Sequence, residues 1–126
     1  MYTDIITKIK NAQLIKTKSV KSRYSKMDER IIEILVKNNY LSGVDKKGKG
    51  VNKILDIELK YHDEKGAING VKFISKPSRK IYLGYKDIKP VKRGYGLLLI
   101  STPKGIITGQ EARKIKVGGQ ALFQIW

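Results

Sequence analysis

Leu97-Leu98-Leu99-Ile100 restricts this chain more than any other stretch. Successive side chains of a strand point to opposite faces, so four apolar residues in a row need cover on both sides, which predicts a central strand. The run stops at Ser101-Thr102-Pro103-Lys104-Gly105, a small polar turn. Pro103 stiffens it, and Gly105 permits a sharp reversal. Thr108-Gly109-Gln110-Glu111 then has capping-box spacing and predicts a short helix through Lys116. Arg113, Lys114 and Lys116 sit in its last turn, where the helix dipole favours cations. A helix this short is marginal alone and has to dock on the sheet. Gly118-Gly119 is expected to end it, before a last strand in which Ala121, Phe123 and Ile125 alternate with Leu122, Gln124 and Trp126. Gly119 and Gln120 should then lie near the Ser101 turn, at the same end of paired strands.

That constellation holds two hydroxyls, an amide, a Lys and a close backbone. Hydroxyls both donate and accept, as base edges and ribose 2′-OH groups require. The residues alone leave two readings, a small polar recognition surface and a well-capped turn.

Charge bears on the choice. Twenty-seven Lys and Arg face eleven Asp and Glu, a net of +16 with a pI near 10.0. So strong a field on one small body implies a polyanionic partner. The charge is uneven: residues 1–64 hold fourteen bases and nine acids, whereas residues 65–126 hold thirteen bases and two acids, Asp87 and Glu111. The second half is therefore read as the main electropositive surface.

Earlier in the chain, Thr3 to about Leu14 reads as an amphipathic helix, with Thr3 as N-cap and Ile5, Ile6, Ile9 and Ala12 on one face. Seven bases and no acid lie between Asp4 and Asp28. A solvated basic face and a phosphate-facing surface both fit that run. Ser25 and Asp28 have capping-box spacing for a second helix with a Met27, Ile31, Ile34, Leu35 stripe, ended by Asn38 and Asn39. Ile54 to Tyr61 alternates cleanly as a half-buried strand. His62 to Gly66 is a polar turn and the expected boundary between lobes. Val71–Ser75 and Lys80–Tyr85 read as strands joined by the basic turn Lys76-Pro77-Ser78-Arg79. In the longer connection from Asp87 to Gly96, Tyr95 lies between Gly94 and Gly96. Either Tyr95 is a stacking platform, or the glycines let backbones approach.

Several chemistries are disfavoured. No cysteine is present, so disulfides and thiolate metal sites are excluded. His62 is the only histidine and cannot build a metal site or a triad by itself. Gly43 to Gly50 nearly spells a phosphate-binding loop, but Gly50 stands where a hydroxyl must meet Mg²⁺, and a strand follows instead of a helix. A Gly/Lys hairpin connection is expected there. Asp56 and Glu58 share a strand face but read as surface acids. No run approaches a membrane span, and the first ten residues lack a signal-peptide pattern.

The run ISTPKGIITGQEARKIKVGGQALFQIW resembles the C-terminal signature of the eighth small-subunit ribosomal protein family, bacterial type. Thr7-Lys8-Ile9-Lys10-Asn11-Ala12, Ile74 to Tyr82, and Gly94-Tyr95-Gly96 also match it, so the resemblance spans the chain. It implies an α+β fold: an N-terminal helix–strand–helix–strand–strand lobe (residues 1–64) packed against a C-terminal antiparallel sheet with one short helix (residues 65–126). It also implies a non-enzymatic primary binder of the small-subunit rRNA central domain that acts early in assembly. Such a protein neighbours other small-subunit proteins, in a bacterial cytoplasm or an organelle, with no cofactor and no membrane partner. Some bacterial members also repress their own messenger RNA. Carried over, the main RNA-binding residues are Ser101, Thr102, Lys104, Gly105, Gly118, Gly119 and Gln120. Thr7, Lys8 and Asn11 are secondary, and the bases Lys76, Arg79, Lys80 and Arg93 complete the set. Three departures stand out: Pro103 replaces a usual Ser, Gln120 a usual Glu, and Gly109 a common Asp. A non-ribosomal, DNA-architectural role is the alternative that charge alone would allow.

Overall fold

The computed structural model describes residues 2–62, 65–76, 78–88 and 96–126. The chain divides into two compact units, Met1–Ala67 and Ile68–Trp126.

In the first unit, helices α1 (Tyr2–Leu14) and α2 (Lys26–Lys37) accompany a three-stranded antiparallel sheet. Its strands are β1 (Ser19–Arg23), β2 (Leu41–Lys47) and β3 (Ile54–Leu59), with β3 in the centre. Leu55, Ile57 and Leu59 of β3 point into the core, where α1 buries Ile5, Ile6 and Ile9 and α2 buries Ile31, Ile32, Ile34 and Leu35. Three expectations are corrected here. Thr3 lies inside α1, whose first residue is Tyr2, so it is no N-cap. Ser25 occupies the N-cap position of α2 in extended backbone, but its side chain makes no capping hydrogen bond. Met27 is 36% exposed while Ile32 is fully buried, because α2 packs against both α1 and β2 and so needs a wider apolar arc. The Asn stop holds: Asn39 takes the left-handed region at φ 67°. Gly48 and Gly50, both at positive φ, turn the chain between β2 and β3, as a hairpin connection requires. The short strands β4 (Tyr61–His62) and β5 (Lys65–Gly66) pair with each other.

Among the described residues, the second unit is one antiparallel sheet and one α-helix. Strands β6 (Val71–Phe73), β7 (Tyr82–Leu83), β8 (Leu97–Thr102), β9 (Gly105–Thr108) and β10 (Gly119–Ile125) are built on β10. That strand pairs with β8 along one edge and with β6 and then β7 along the other, and β9 flanks β8. Leu97 to Ile100 are all buried, as both faces of an interior strand demand. Helix α3 (Gly109–Ile115) covers the face that carries Leu98, Ile100, Ile107 and Ala121, with Ala112 and Ile88 packed among them. The other face carries Leu99 and Phe123, and Phe73 meets Phe123 edge-on at 6.1 Å.

The predicted alternation along β10 breaks. A bulge between Ala121 and Phe123 pairs Ala121 with Ile100 but Phe123 with Leu99, so the two face opposite sides. The strand expected over Lys80–Tyr85 shrinks to Tyr82–Leu83, since Tyr85–Asp87 turns into a single 3₁₀ turn. The N-cap of α3 forms as expected, Thr108 Oγ1 accepting from Glu111 N at 3.2 Å, while the Glu111 carboxylate accepts from the Thr108 hydroxyl at 3.3 Å. Its other end differs, because Lys116 takes the left-handed cap at φ 59°, which leaves Gly118-Gly119 free of that duty.

Candidate RNA interface

The β8–β9 hairpin presents the Ser101–Gly105 turn. Thr102 pairs with Gly105, so Pro103 and Lys104 form the tip, and Gly105 reverses the chain at φ 109°. Pro103, Lys104 and Gly105 are all exposed, and nothing lies within 4 Å of a Cβ built on Gly105. The tip therefore offers one ammonium and open backbone. Thr102 behaves differently from a presented hydroxyl. It is 9% exposed, and its Oγ1 donates to Gly105 O at 2.8 Å while accepting from Lys104 N at 3.1 Å. Its one proton is thus engaged inside the turn. Thr102 braces the tip, and Ser101, half-buried, points to the opposite face of the sheet.

Ser101 belongs to a cross-strand row. It pairs with Gln120 on β10 and Ile106 on β9, and Gln120 pairs in turn with Tyr82 on β7. Paired residues share a face, so a phenol ring, an amide and a hydroxyl stand side by side. Tyr82 is 68% exposed. The predicted proximity of Gln120 to the Ser101 turn is realised. Tyr82 was not singled out from the sequence, and only the β7–β10 register reveals it.

Gly118 and Gly119 lie beside this row as spacers. A Cβ on Gly119 would stand 2.1 Å from Ser101 O, and one on Gly118 2.5 Å from Leu83 O. The double glycine is thus where β10 threads between β7 and β8 with no room for side chains. Gly109 is also a packing residue: a Cβ there would meet Ile88 Cγ2 at 3.1 Å and Leu98 Cβ at 3.3 Å.

Between β6 and β7, Lys76 and Arg79 exchange backbone hydrogen bonds at 2.9 and 3.0 Å, closing a tight loop. Lys76, Arg79 and Lys80 are exposed on it. Arg93, Gly94 and Tyr95 lie outside the described residues.

In the first unit Thr7, Lys8 and Asn11 are exposed on α1, away from its buried Ile5, Ile6 and Ile9. Lys8 Nζ donates to Lys21 O at 2.6 Å. Lys8, Lys21, Arg23 and Lys53 line a shallow cleft, and Lys46 and Lys53 approach the Tyr24 ring at 5.1 and 5.4 Å. Hydrogen bonding to Glu29, with some desolvation, raises the Tyr24 phenol above its ordinary pKa. Asp45, Asp56 and Glu58 lie on the outer sheet face, where Asp56 pairs with Lys47 at 2.9 Å. This is an ordinary surface ion pair worth little. Among the described residues no group of three His, Asp or Glu could hold a metal ion.

Exposed cations, a braced polar turn and an aromatic beside an amide define a protein of the polyanion-engaging class. The family model described as ribosomal protein S8 matches residues 1–126. Proteins named small ribosomal subunit protein uS8 are similar along almost the whole chain. The one from Mycoplasmopsis pulmonis is 44% identical over 98% of this chain and 93% of its own length. That from Mycoplasmopsis agalactiae is 42% identical over 98% and 95%, and that from Erythrobacter litoralis 39% over 98% and 94%. The chain belongs to the ribosomal protein S8 family.

Proposed function

We propose that this chain is a structural constituent of the small ribosomal subunit, located on the ribosome, that binds small-subunit rRNA and catalyses no reaction. The whole-length family match supports the ribosomal assignment, and the braced turn beside the Tyr82–Gln120–Ser101 row is the observation that carries the RNA-reading surface. In this reading the rRNA ligand is the central domain, bound early in assembly, and other small-subunit proteins are its neighbours. The protein's own messenger RNA would be a second ligand through the same surface. Lysines and arginines supply affinity by neutralising phosphate and releasing counterions, so binding weakens steeply with salt. The turn supplies selectivity. Lys104 meets phosphate or a carbonyl edge, while Ser101 and Gln120 offer hydrogen bonds to bases or ribose in a distorted minor groove. Thr102 contributes by holding Lys104 and Gly105 in place. Thr7, Lys8 and Asn11 provide a secondary contact from the first unit.

Thr102→Ala combined with Lys104→Ala is expected to weaken binding to a central-domain rRNA transcript by about 2–4 kcal/mol, the scale of a few lost polar or charge-assisted bonds. Wild-type affinity in the double variant, at matched salt, would remove the turn from the interface. Competition separates this reading from a DNA-architectural role motivated by charge alone: duplex DNA should displace the RNA poorly here and readily there.

A further inference from the structure

We propose that Ser75 is the positioning residue of the cationic loop Lys76–Lys80, holding Lys76, Arg79 and Lys80 as a preorganised phosphate clamp. The inference rests on the rRNA-binding reading above. Ser75 is 2% exposed, although serine is usually a surface residue. Its position explains why. Along β10 the neighbouring strand changes from β6, paired at Phe123–Ile125, to β7, paired at Gly119–Gln120. The β10 bulge falls in that gap, and the chain leaves the sheet after Phe73 and rejoins it at Tyr82.

Backbone bonds close this gap only in part, and the Ser75 hydroxyl adds to them. It donates to Ala121 O and accepts from Ile81 N at 3.0 Å. Ala121 N donates to Ile81 O at 2.9 Å, so Ser75, Ile81 and Ala121 form a closed ring of hydrogen bonds. Leu122 O accepts from Ile74 N at 3.1 Å and anchors the loop's other side. Both ends of the loop are thereby fastened to β10, and the Lys76–Arg79 backbone pair closes it above them. The three cations then rise from a fixed base. A cation held in place loses less entropy on meeting phosphate than one on a loose loop. The same ring fastens the loop to β10 next to Gln120, on the strand that carries the row beside the turn.

The test is a thermodynamic cycle read by binding of the full chain to a central-domain rRNA transcript over a salt series. One arm is Ser75→Ala. The second is Lys76→Ala with Arg79→Ala and Lys80→Ala, and the third carries all four changes. Removing the three cations should lower the salt slope by roughly two to three, given about 0.9 per phosphate contact on a regular duplex. Ser75→Ala in the wild-type background should weaken binding about tenfold, the scale of one charge-assisted bond lost, and lower the slope in the same direction. In the cation-free background it should change binding less than about twofold, because the groups it positions are gone. Ser75→Cys, close to isosteric but a weaker hydrogen-bonding group, should fall between wild type and Ser75→Ala.

Equal losses from Ser75→Ala in both backgrounds would make Ser75 a general stabiliser and overturn the proposal. So would unchanged binding by Ser75→Ala, or by the cation-free variant. Failure of both Ser75→Ala and Ser75→Cys to fold, judged by urea denaturation, would assign Ser75 to the core alone and equally overturn it. If the wild-type chain itself does not bind the transcript, the rRNA reading falls first. If it binds while Ser75→Ala matches it, only the clamp falls.

Discussion

Gly119→Ala separates a glycine that touches RNA from one that makes the sheet possible. The added Cβ would lie 2.1 Å from Ser101 O, 2.9 Å from Ser101 C and 3.0 Å from Ile100 Cγ2, whereas ordinary contact begins at 3.4 Å. Two of those atoms are backbone, so no side-chain rotation relieves the clash. The β8 and β10 backbones would have to part by roughly 1 Å, against a strand spacing of about 4.8 Å. Such a shift loosens the hydrogen bonds around Gln120–Ser101 and Ala121–Ile100. Two or three weakened ladder bonds at about 0.5–1.5 kcal/mol each, with overpacking of about 1–3 kcal/mol, put the cost at about 2–7 kcal/mol. Gly105→Ala is the contrasting control. It has open space, so its cost is only that of the strained positive φ, about 1–3 kcal/mol. Urea denaturation gives both numbers, and RNA affinity measured on the folded fraction shows whether binding changes beyond stability. Gly119→Ala within about 0.5 kcal/mol of wild type, the range of an ordinary surface change, would refute the packing account of the double glycine.

Two further outcomes follow from local chemistry. Burial first, and Asp4 second, raise the Asp28 carboxyl above its ordinary pKa. The folded protein then holds that proton more tightly than the unfolded chain, so the stability associated with it is present at low pH and is lost as pH rises through the folded value. Asp28→Asn should therefore stabilise the protein at pH 7 by no more than about 1 kcal/mol, given residual solvent screening. The difference should vanish near pH 3, and urea curves at the two pH values would expose a loss of stability at pH 7 as the contrary result. At α3, Thr108→Ala removes the acceptor for Glu111 N and should cost about 1–2 kcal/mol, with Thr108→Ser close to wild type. Equal losses in the two variants would show that the Thr108 methyl, not its hydroxyl, holds the helix.

The parts of the fold that local periodicity encodes were readable beforehand. Leu97–Ile100 announced an interior strand, Ile54–Tyr61 a half-buried one that ends at Leu59, and Thr108 to Glu111 a capped helix, because each pattern completes itself within a few residues. What escaped depends on distant partners. Strand β9 is four residues that gain their identity only by lying along β8. The bulge in β10 lies on its β8 edge, level with the point where β6 gives way to β7 on the other edge, and no residue near Ala121 signals it. Ser25 had the residue type of a cap without making the bond, since spacing states what is available and not which partner wins. At the interface, the polar tip and its glycines were visible as composition. The inward engagement of Thr102 and the company of Tyr82 required the register.

The placement of β10 also sets an order of events. Its partners β6, β7 and β8 all precede it in the chain, and the Val71–Ile125 pairing spans most of the second unit. None of them can complete its ladder until Gly119–Ile125 is present, so the second unit closes through long-range contacts, which form slowly. The first unit makes its sheet from residues 19–59, all within Met1–Ala67. During synthesis the first unit can reach its native form while the second still waits for its spine. The Ser101 turn closes locally between β8 and β9, but the Tyr82–Gln120–Ser101 row, the double glycine and the fastening of the cationic loop all hang on that spine, so those parts of the proposed RNA-reading surface come together late.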